Sequence, residues 1–240
     1  MDMRRLDGKV LMVTGATRGI GLAAAERLGA EGAHLVLTAR GEKDGRDVET
    51  RLRGAGVDAV FVAADMTDAE GPVRVVETAV ARFGRLDGAF NNVGGVVAPG
   101  RPAEIDAAGW MAELEFNLTS VFHCLRAELP ALLAAGGGAL VNNASIAGTS
   151  GIGGLTAYVA AKHGVVGLTR ATALPTPATA SGSTLWSPAT STPRCTASYS
   201  ASGPTSTALR SPRPIPPGAW PARRRSPRSS PSFSATTRAS

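Results

Sequence analysis

Tyr158 and Lys162 lie four residues apart in a segment with the apolar spacing of a helix, which places both side chains on one face. A free tyrosine has a pKa of about 10, and bringing it near neutrality requires about 4 kcal/mol of preferential stabilisation of the phenolate. A nearby ammonium supplies such stabilisation. The pair is therefore a candidate for proton transfer, although a half-buried ring beside a solvated amine explains the same two residues when they are taken alone.

Further polar positions belong to the same region of the expected fold. Ser145 follows a short apolar run, Ala139–Asn143, at the edge of the sheet where ligands bind in open α/β folds. Asn117 interrupts an apolar helical stretch and needs a hydrogen-bond partner if it is buried. Asn91-Asn92-Val93-Gly94 closes another predicted strand at the same edge. Together with the Tyr158 and Lys162 pair, these residues make a candidate active site.

A glycine-rich junction, TGATRGIG at residues 14–21, joins the first predicted strand to the first predicted helix. Glycines there allow a tight turn and let a phosphate approach the N–H groups at the helix N-terminus, where the helix dipole favours negative charge. A turn needed for packing alone would look the same in isolation. Because the junction follows the first strand and opens a helix, as the dinucleotide-binding fingerprint requires, we favour dinucleotide binding.

The end of the second predicted strand indicates which dinucleotide binds. An NAD site usually has a carboxylate there for the ribose 2′-hydroxyl, whereas this strand runs Leu37-Thr38-Ala39-Arg40. Arg40 and, from the glycine-rich loop, Arg18 can together make charge-assisted hydrogen bonds to a 2′-phosphate. Two solvated surface arginines are the alternative. The lack of an acid at this corner favours NADP(H) over NAD(H).

Short, nearly all-apolar strands alternate with amphipathic helices over residues 1–174. That alternation predicts an α/β fold of the Rossmann type, a doubly wound parallel sheet with helices on both faces. The predicted strands are Val10–Thr14, Leu35–Thr38, Ala59–Val62, Gly88–Phe90 and Ala139–Asn143, and the predicted helices are Ile20–Leu28, Asp47–Arg53, Pro72–Phe83, Trp110–Leu133 and Thr156–Ala173.

Taken in order, these motifs make residues 1–174 similar to a short-chain dehydrogenase/reductase. TGATRGIG resembles the family's cofactor loop, Asp65-Met66 its adenine contact and NNVG its fourth-strand motif, with Val93 where alanine is commoner. Asn117, Ser145, Tyr158 and Lys162 match its catalytic tetrad. The resemblance implies no metal and a cofactor site made of Gly15, Thr17, Arg18, Gly19, Ile20, Gly21, Arg40, Asp65, Met66, Asn92, Gly94, Tyr158 and Lys162.

The resemblance also implies a reaction, hydride transfer between NADP(H) and a small-molecule carbonyl or alcohol. It implies that Tyr158 is the general acid of reduction, that Lys162 lowers the tyrosine pKa and holds the nicotinamide ribose, and that Ser145 hydrogen-bonds the carbonyl oxygen. Asn117 would hold a water that links Lys162 to solvent. The family further implies a homo-oligomer, a tetramer or a dimer, if the fold is complete.

The composition changes sharply after Leu174. Residues 1–174 carry 17 Lys or Arg and 19 Asp or Glu, so their net charge is −2. Residues 175–240 carry eight Arg and no acidic residue, and they account for the whole positive excess in the net charge of +6. They also hold 12 of the 16 prolines and 15 of the 18 serines but no Val, a composition that cannot build a core. We expect residues 1–174 to form the cofactor-binding core and residues 175–240 a disordered tail.

A shifted reading frame explains this tail, because Ser, Pro, Ala, Thr and Arg are the residues that GC-rich DNA encodes out of frame. In the original frame, each codon would consist of the third base of one present codon and the first two bases of the next. The choices that this allows for residues 176–195 include YARHGIRVNAVVPGYIDTPM, which resembles the family's continuation. Trp186 fixes one step, since TGG before Ser187 forces valine. We therefore hypothesise a net loss of one base near Leu174–Pro175, a sheet incomplete at its C-terminal strands, and weak or absent activity.

Several other classes of protein are excluded or disfavoured. The sequence has no run of eighteen apolar residues and no secretion signal, so we expect a cytoplasmic protein without a membrane span. Cys124 and Cys195 give neither a disulfide framework nor a metal-ligand cluster. Taken at face value, the tail is a basic arm for nucleic acid, but eight arginines spread over positions 175–240 form a thin electrostatic footprint. Nucleic acid is therefore not an expected partner.

Overall fold

A computed structural model describes residues 4–173 and, for the strand at residues 182–186, the backbone. Within these residues, six parallel strands form one sheet in the order β3-β2-β1-β4-β5-β6. The strands are β1 Val10–Thr14, β2 His34–Ala39, β3 Ala59–Ala63, β4 Gly88–Asn91, β5 Ala139–Asn143 and β6 Gly182–Trp186. The α-helices are α1 Gly19–Ala30, α2 Glu42–Gly54, α3 Glu70–Phe83, α4 Ala107–Leu114, α5 Ser120–Ala134 and α6 Thr156–Ala173.

Neighbouring residues of a strand are buried in different layers. On β1, Met12 belongs to a core cluster with residues of α3, α5 and α6, whereas Val13 belongs to a second cluster with residues of α1 and α2. On β2, Val36 and Leu37 divide in the same way. Because strand side chains alternate between the two faces, helices on both faces require strands that are apolar on both sides. The predicted doubly wound Rossmann-type fold is confirmed.

Helices α1 and α3 differ from their predicted ranges by one or two residues at an end, and two further predicted helices differ more. Helix α2 begins at Glu42, five residues before the predicted Asp47. The prediction missed this start because the residues Glu42 to Asp44 are polar and exposed and show no apolar periodicity. The helix predicted over Trp110–Leu133 is interrupted, since one π-helical turn at Glu115–Thr119 separates α4 from α5. A π turn shifts the backbone hydrogen bonds by one residue, and a run of apolar side chains does not reveal it.

One strand lies where the sequence led us to expect none. Gly182–Trp186 pairs in parallel with β5, from Gly182 opposite Ala139 to Trp186 opposite Asn143. Strand pairing uses the backbone N–H and C=O groups that nearly every residue carries, so an open sheet edge accepts many sequences in extended form. The sheet therefore has one strand more than we expected. The last strand that the resemblance implies, and the rest of the tail, lie outside the described residues.

The parallel sheet brings the carboxyl ends of its strands to one edge, where the glycine-rich loop follows β1, Arg40 follows β2 and Ser145 lies just after β5. An apolar groove of about 610 Å³ lies elsewhere, between α1 and strands β1, β4 and β5. Leu11, Leu28, Phe90 and Val141 are among the side chains that line it. In the part of the chain that the structure describes, no helix is long and apolar enough to cross a membrane.

Candidate active site

The carboxyl edge of the sheet opens on a cavity of about 570 Å³. Most of the predicted site residues line it together: Gly15, Thr17, Arg18, Ile20, Arg40, Asp65, Met66, Asn92, Gly94, Ser145, Tyr158 and Lys162. Gly19, Gly21 and Asn117 are not part of that lining. Gly21 is packed against the backbone of Gly15, and Asn117 is hydrogen-bonded to Gly95, so these two residues support the cavity from behind.

The glycine-rich loop has the backbone that an anion site needs. Gly15 and Gly19 have φ values of +63° and +55°, which L side chains rarely adopt. A Cβ on Gly21 would lie 2.2 Å from the carbonyl oxygen of Gly15, so the close approach requires glycine. Helix α1 has no side-chain cap and no acidic residue in its first turn. Its first N–H groups can therefore bind a phosphate.

Charges of both signs meet around Arg40. The Arg40 guanidinium lies 4.0 Å from the Asp65 carboxylate and 5.8 Å from the centroid of the Phe116 ring. Asp65 also accepts hydrogen bonds from the backbone N–H and the hydroxyl of Thr67, at 3.0 and 2.9 Å. Arg18 and Asp44 also line the cavity. We refer to this group as the Arg40 side.

The segment after β4 is tied to its neighbours by Thr14, the first residue of the glycine-rich motif, and by Asn143, which the motifs did not single out. The hydroxyl of Thr14 accepts from the backbone N–H groups of Asn92 and Val93, at 2.8 and 3.2 Å. Asn143 donates from its side chain to Asn92 Oδ1 at 2.8 Å. These bonds hold the ends of β1, β4 and β5 together. The pair of asparagines at the end of β5 was the available signal, because amides are uncommon in a buried strand.

Lys162 is buried, with 3% of its surface exposed, and its Nζ donates to the carbonyl oxygen of Asn143 at 3.1 Å. Nζ lies 5.7 Å from the centroid of the Tyr158 ring. Burial lowers the pKa of Lys162 to about 8, against the negative charge of Glu113, which raises it. The lysine therefore exchanges protons close to neutral pH. The predicted proximity of Tyr158 and Lys162 on one helix face is confirmed.

Gly94 marks the point where two predicted residues converge. A Cβ on Gly94 would lie 2.9 Å from Asn117 Oδ1 and 2.9 Å from Lys162 Nζ, so no larger residue fits without a shift. Asn117 lies in the π-helical turn and is fully buried. Its Oδ1 accepts from Gly95 N at 2.9 Å, and its Nδ2 donates to Gly95 O at 2.8 Å. The prediction that a buried Asn117 needs partners is confirmed.

Ser145 begins a 3₁₀ turn, Ile146–Gly148, as its N-cap. Its Oγ accepts from the backbone N–H of Ala147 at 3.2 Å, which leaves the hydroxyl hydrogen to be donated elsewhere. Exposed apolar side chains follow the same two strands along the chain: Val96 and Val97 after β4, and Ile146 and Ile152 after β5.

Cys124 and His163 do not join the site. Cys124 is buried in the core, where burial raises the pKa of its thiol well above the ordinary value. His163 contacts the carbonyl oxygen of Val159 in its own helix, with Nδ1 at 2.9 Å. Among the described residues, no three His, Cys, Asp or Glu side chains are grouped to hold a metal ion.

Comparison with known proteins decides the family. The family model for short chain dehydrogenase matches residues 9–180. The chain belongs to the short-chain dehydrogenase family. Members of this family are NAD(P)-dependent oxidoreductases that act on CH–OH or C=O groups, so both the resemblance and the enzyme class inferred from the sequence are confirmed.

Curated short-chain dehydrogenases are similar to this chain over most of its length. It is 41% identical to a cyclohexanol dehydrogenase of Acinetobacter sp. (strain SE19) over 170 residues, which are 71% of this chain and 68% of that protein. It is 39% identical to a 3beta-hydroxysteroid dehydrogenase of Mediterraneibacter gnavus over 172 residues, which are 72% of this chain and 62% of that protein. The chain thus spans about two thirds of the length of these relatives.

Solved short-chain dehydrogenase structures with either cofactor resemble this fold. An actinorhodin polyketide ketoreductase with NADPH is 38% identical, with a TM-score of 0.68 over 78% of this chain and 70% of that one. Carveol dehydrogenase from Mycobacterium avium in complex with NAD is 31% identical, with a TM-score of 0.68 over 70% of this chain and 66% of that one. Membership of the family implies a nicotinamide dinucleotide as cofactor. One of these two similar structures contains NADPH and the other contains NAD.

Proposed function

We propose that this chain is an NADP(H)-dependent oxidoreductase that interconverts a secondary alcohol and a ketone. The observation that carries the proposal is the convergence of Lys162, Asn117 and Gly94 beside the Tyr158 ring, with Ser145 on the same cavity. The phenol of Tyr158, a buried ammonium near it and the free hydroxyl hydrogen of Ser145 are the groups needed to transfer a proton to or from a substrate oxygen.

In this proposal Tyr158 moves the proton. Its hydroxyl gives a proton to the substrate oxygen in reduction and takes one in oxidation, while the Lys162 ammonium stabilises the phenolate. With a pKa of about 8, Lys162 keeps most of its charge at neutral pH. Ser145 donates its hydroxyl hydrogen to the same substrate oxygen, and Asn117 holds the water that connects Lys162 to solvent. When bound, the nicotinamide supplies the hydride in reduction and accepts it in oxidation.

The cavity residues fit a dinucleotide. The N-terminus of α1 and its glycines would bind the pyrophosphate, Asp65 and Met66 the adenine, and Lys162 the nicotinamide ribose. Arg18 and Arg40 both line the cavity, Arg40 directly follows the second strand, and no carboxylate occupies the last position of that strand. This arrangement supports NADP(H), because two guanidiniums can bind a 2′-phosphate that a carboxylate would repel.

Cofactor preference can be tested by titrating the purified chain with NADPH and with NADH and following the nicotinamide fluorescence. We expect tighter binding of NADPH, and a loss of about tenfold in that affinity for Arg40→Ala with little effect on NADH. Arg46→Ala is the matched control, because Arg46 lies on α2 and pairs with Glu42 and Glu49 outside the cavity. Equal or tighter binding of NADH by the unsubstituted chain would exclude the NADP(H) preference.

We further propose that the substrate is an apolar secondary alcohol or ketone, with a ring as the favoured skeleton. The exposed side chains of Val96, Val97, Ile146 and Ile152 support an apolar substrate. Relatives named for ring alcohols, among them the cyclohexanol dehydrogenase and a trans-4-hydroxycyclohexanecarboxylate dehydrogenase of Sinomonas cyclohexanicum, support the ring. Turnover of cyclohexanol should exceed that of 2-hexanol, and the opposite order would contradict the ring preference.

A second candidate is an inactive relative with residual cofactor binding, produced by the loss of one base near Leu174–Pro175. Two observations favour it: the family match ends at residue 180, and β6 at Gly182–Trp186 overlaps residues 181–186, for which the shifted frame allows IRVNAV. Resequencing the DNA tests it, because third bases that do not spell this strand would exclude the shift. NADPH fluorescence without turnover, together with turnover by the frame-restored chain, would favour the inactive relative.

A further inference from the structure

Glu113 is a carboxylate on α4 with no exposed surface, and it belongs to none of the motifs that define the site. Burying an ionised carboxylate costs several kcal/mol unless hydrogen bonds compensate for the lost water. Hydrogen-bond donors from two segments compensate for the lost water: the π-helical turn that follows α4 and the segment after β4. Such a group is retained where its contacts serve a purpose other than filling the core.

Both oxygens of Glu113 are engaged. Oε2 accepts from the backbone N–H groups of Val97 and Ala98, at 2.9 and 2.6 Å. Oε1 accepts from Asn117 Nδ2 at 2.8 Å. One side chain therefore fixes the segment that carries the exposed Val96 and Val97, and at the same time orients the amide of Asn117. With Nδ2 held by Glu113, Asn117 Oδ1 is directed at the backbone N–H of Gly95.

The charge of Glu113 also acts on Lys162. The Tyr158 ring on α6 lies 5.7 Å from Lys162 Nζ, and the charge of Glu113 on α4 acts on the lysine across a longer distance than an ion pair. Strand β5 contributes the carbonyl oxygen of Asn143, and the segment after β4 contributes Gly94, neither of which titrates. The negative charge of Glu113 therefore opposes the effect of burial, which favours the neutral amine.

We propose that Glu113 is a positioning residue for the reaction: it holds Asn117 and the Val97-Ala98 backbone in the arrangement that the site needs. Its negative charge also favours the ammonium form of Lys162. The proposal rests on the proposed function of the site. A neutral glutamine at this position has nearly the same shape but loses the negative charge, and its amide group would face N–H donors with donors of its own. The structural and the electrostatic parts of the role can thus be separated by substitution.

The chain contains three lysines, Lys9, Lys43 and Lys162, so ¹³C-labelled lysine gives a simple NMR spectrum. In the unsubstituted chain the Lys162 Cε signal should titrate near pH 8, below the ordinary lysine range. In Glu113→Gln it should titrate at still lower pH, and the alkaline limit of turnover should move in the same direction. Glu115→Gln is the matched control, because Glu115 lies two residues away on the exposed side of the helix.

The Asn117 and backbone contacts are tested by Glu113→Asp, which keeps the charge but shortens the reach to Val97 and Ala98. We expect the Lys162 titration to stay near that of the unsubstituted chain, while kcat falls about tenfold or more from misplacement. If Glu113→Gln does not fold, this variant carries the test. A Lys162 titration unchanged in folded Glu113→Gln, or full activity in Glu113→Asp, would overturn the proposal. Failure of the proposed function would instead appear as absent NADPH binding and turnover in the unsubstituted chain.

Discussion

The two sides of the cavity hold their charges in different ways. On the Arg40 side, Arg40 and Asp65 are 70% and 41% exposed and stand 4.0 Å apart. A second group, which we refer to as the Lys162 side, consists of the buried residues Lys162, Glu113 and Asn117, in which Asn117 donates to Glu113 and Lys162 donates to the carbonyl oxygen of Asn143. An exposed pair contributes little to stability, whereas a buried one is costly to break. Substitutions on the Arg40 side can therefore change the cofactor preference at small cost to the stability of the fold. Substitutions on the Lys162 side should cost more stability.

The largest effect should come from removing the proton donor. Tyr158→Phe keeps the ring that lies 5.7 Å from Lys162 Nζ but removes the hydroxyl. We expect turnover to fall by about 10²- to 10⁴-fold, the usual contribution of a general acid or base. NADPH binding, followed by fluorescence, should be nearly unchanged. Turnover within a few-fold of the unsubstituted chain would show that another group supplies the proton.

A second effect concerns a buried charge away from the cavity. Glu128 on α5 is fully buried and accepts from Asn91 Nδ2 at 3.0 Å, and burial raises its pKa to about 7. An unfolded glutamate has a pKa of about 4.3. Between these values the folded chain holds a proton that the unfolded chain releases. The contribution of Glu128 to stability is therefore complete below about pH 4 and is lost as the pH rises through about 7.

Glu128→Gln should remove this pH dependence, because glutamine does not titrate. At pH 8 the variant should be more stable by on the order of 3 kcal/mol, and at pH 5 the difference should be much smaller. Denaturant unfolding at both pH values measures this difference in the free energy of unfolding, and Glu115→Gln, at an exposed position, is the control. A difference independent of pH would mean that Glu128 is ionised throughout in the folded chain.

A third and smaller effect tests how tightly the Lys162 side is packed. Gly94→Ala would place a Cβ 2.9 Å from both Asn117 Oδ1 and Lys162 Nζ. We expect a loss of about 1–3 kcal/mol in the free energy of unfolding and weaker NADPH binding, since overpacking forces neighbours to move and the φ of +155° at Gly94 strains an L side chain. Gly95→Ala is the matched control, because a Cβ there would meet the Phe116 ring at 3.8 Å, an ordinary contact. Equal effects of the two substitutions would contradict the convergence at Gly94.

The smallest effect on stability is expected on the Arg40 side. Arg40→Ala removes an exposed ion pair and a contact with the Phe116 ring. The free energy of unfolding should change by less than about 1 kcal/mol, and salt should reduce the difference further. Thermal unfolding at low and high ionic strength measures it. A loss of several kcal/mol would show that the two sides do not differ as their exposure indicates.

Local patterns made much of the site predictable from sequence, and distant contacts made the rest unpredictable. The glycine-rich loop and the four-residue spacing of Tyr158 and Lys162 are local, so their placement follows from the helix period. Glu113 is four residues before Asn117 and was visible in the same way, but nothing local shows that its other oxygen binds the backbone of Val97 and Ala98. The π turn and strand β6 escaped prediction because backbone hydrogen bonding, and not side-chain pattern, decides both.

The apolar groove between α1 and strands β1, β4 and β5 affects how the folding of this chain should be measured. Dyes such as ANS fluoresce on apolar surfaces, and their binding is a common sign of a molten globule. A groove of about 610 Å³ lined by Leu11, Leu28, Phe90 and Val141 should bind such a dye while the neighbouring core is fully packed. Dye fluorescence is therefore a poor criterion of lost packing in this chain, and near-ultraviolet circular dichroism is the better one.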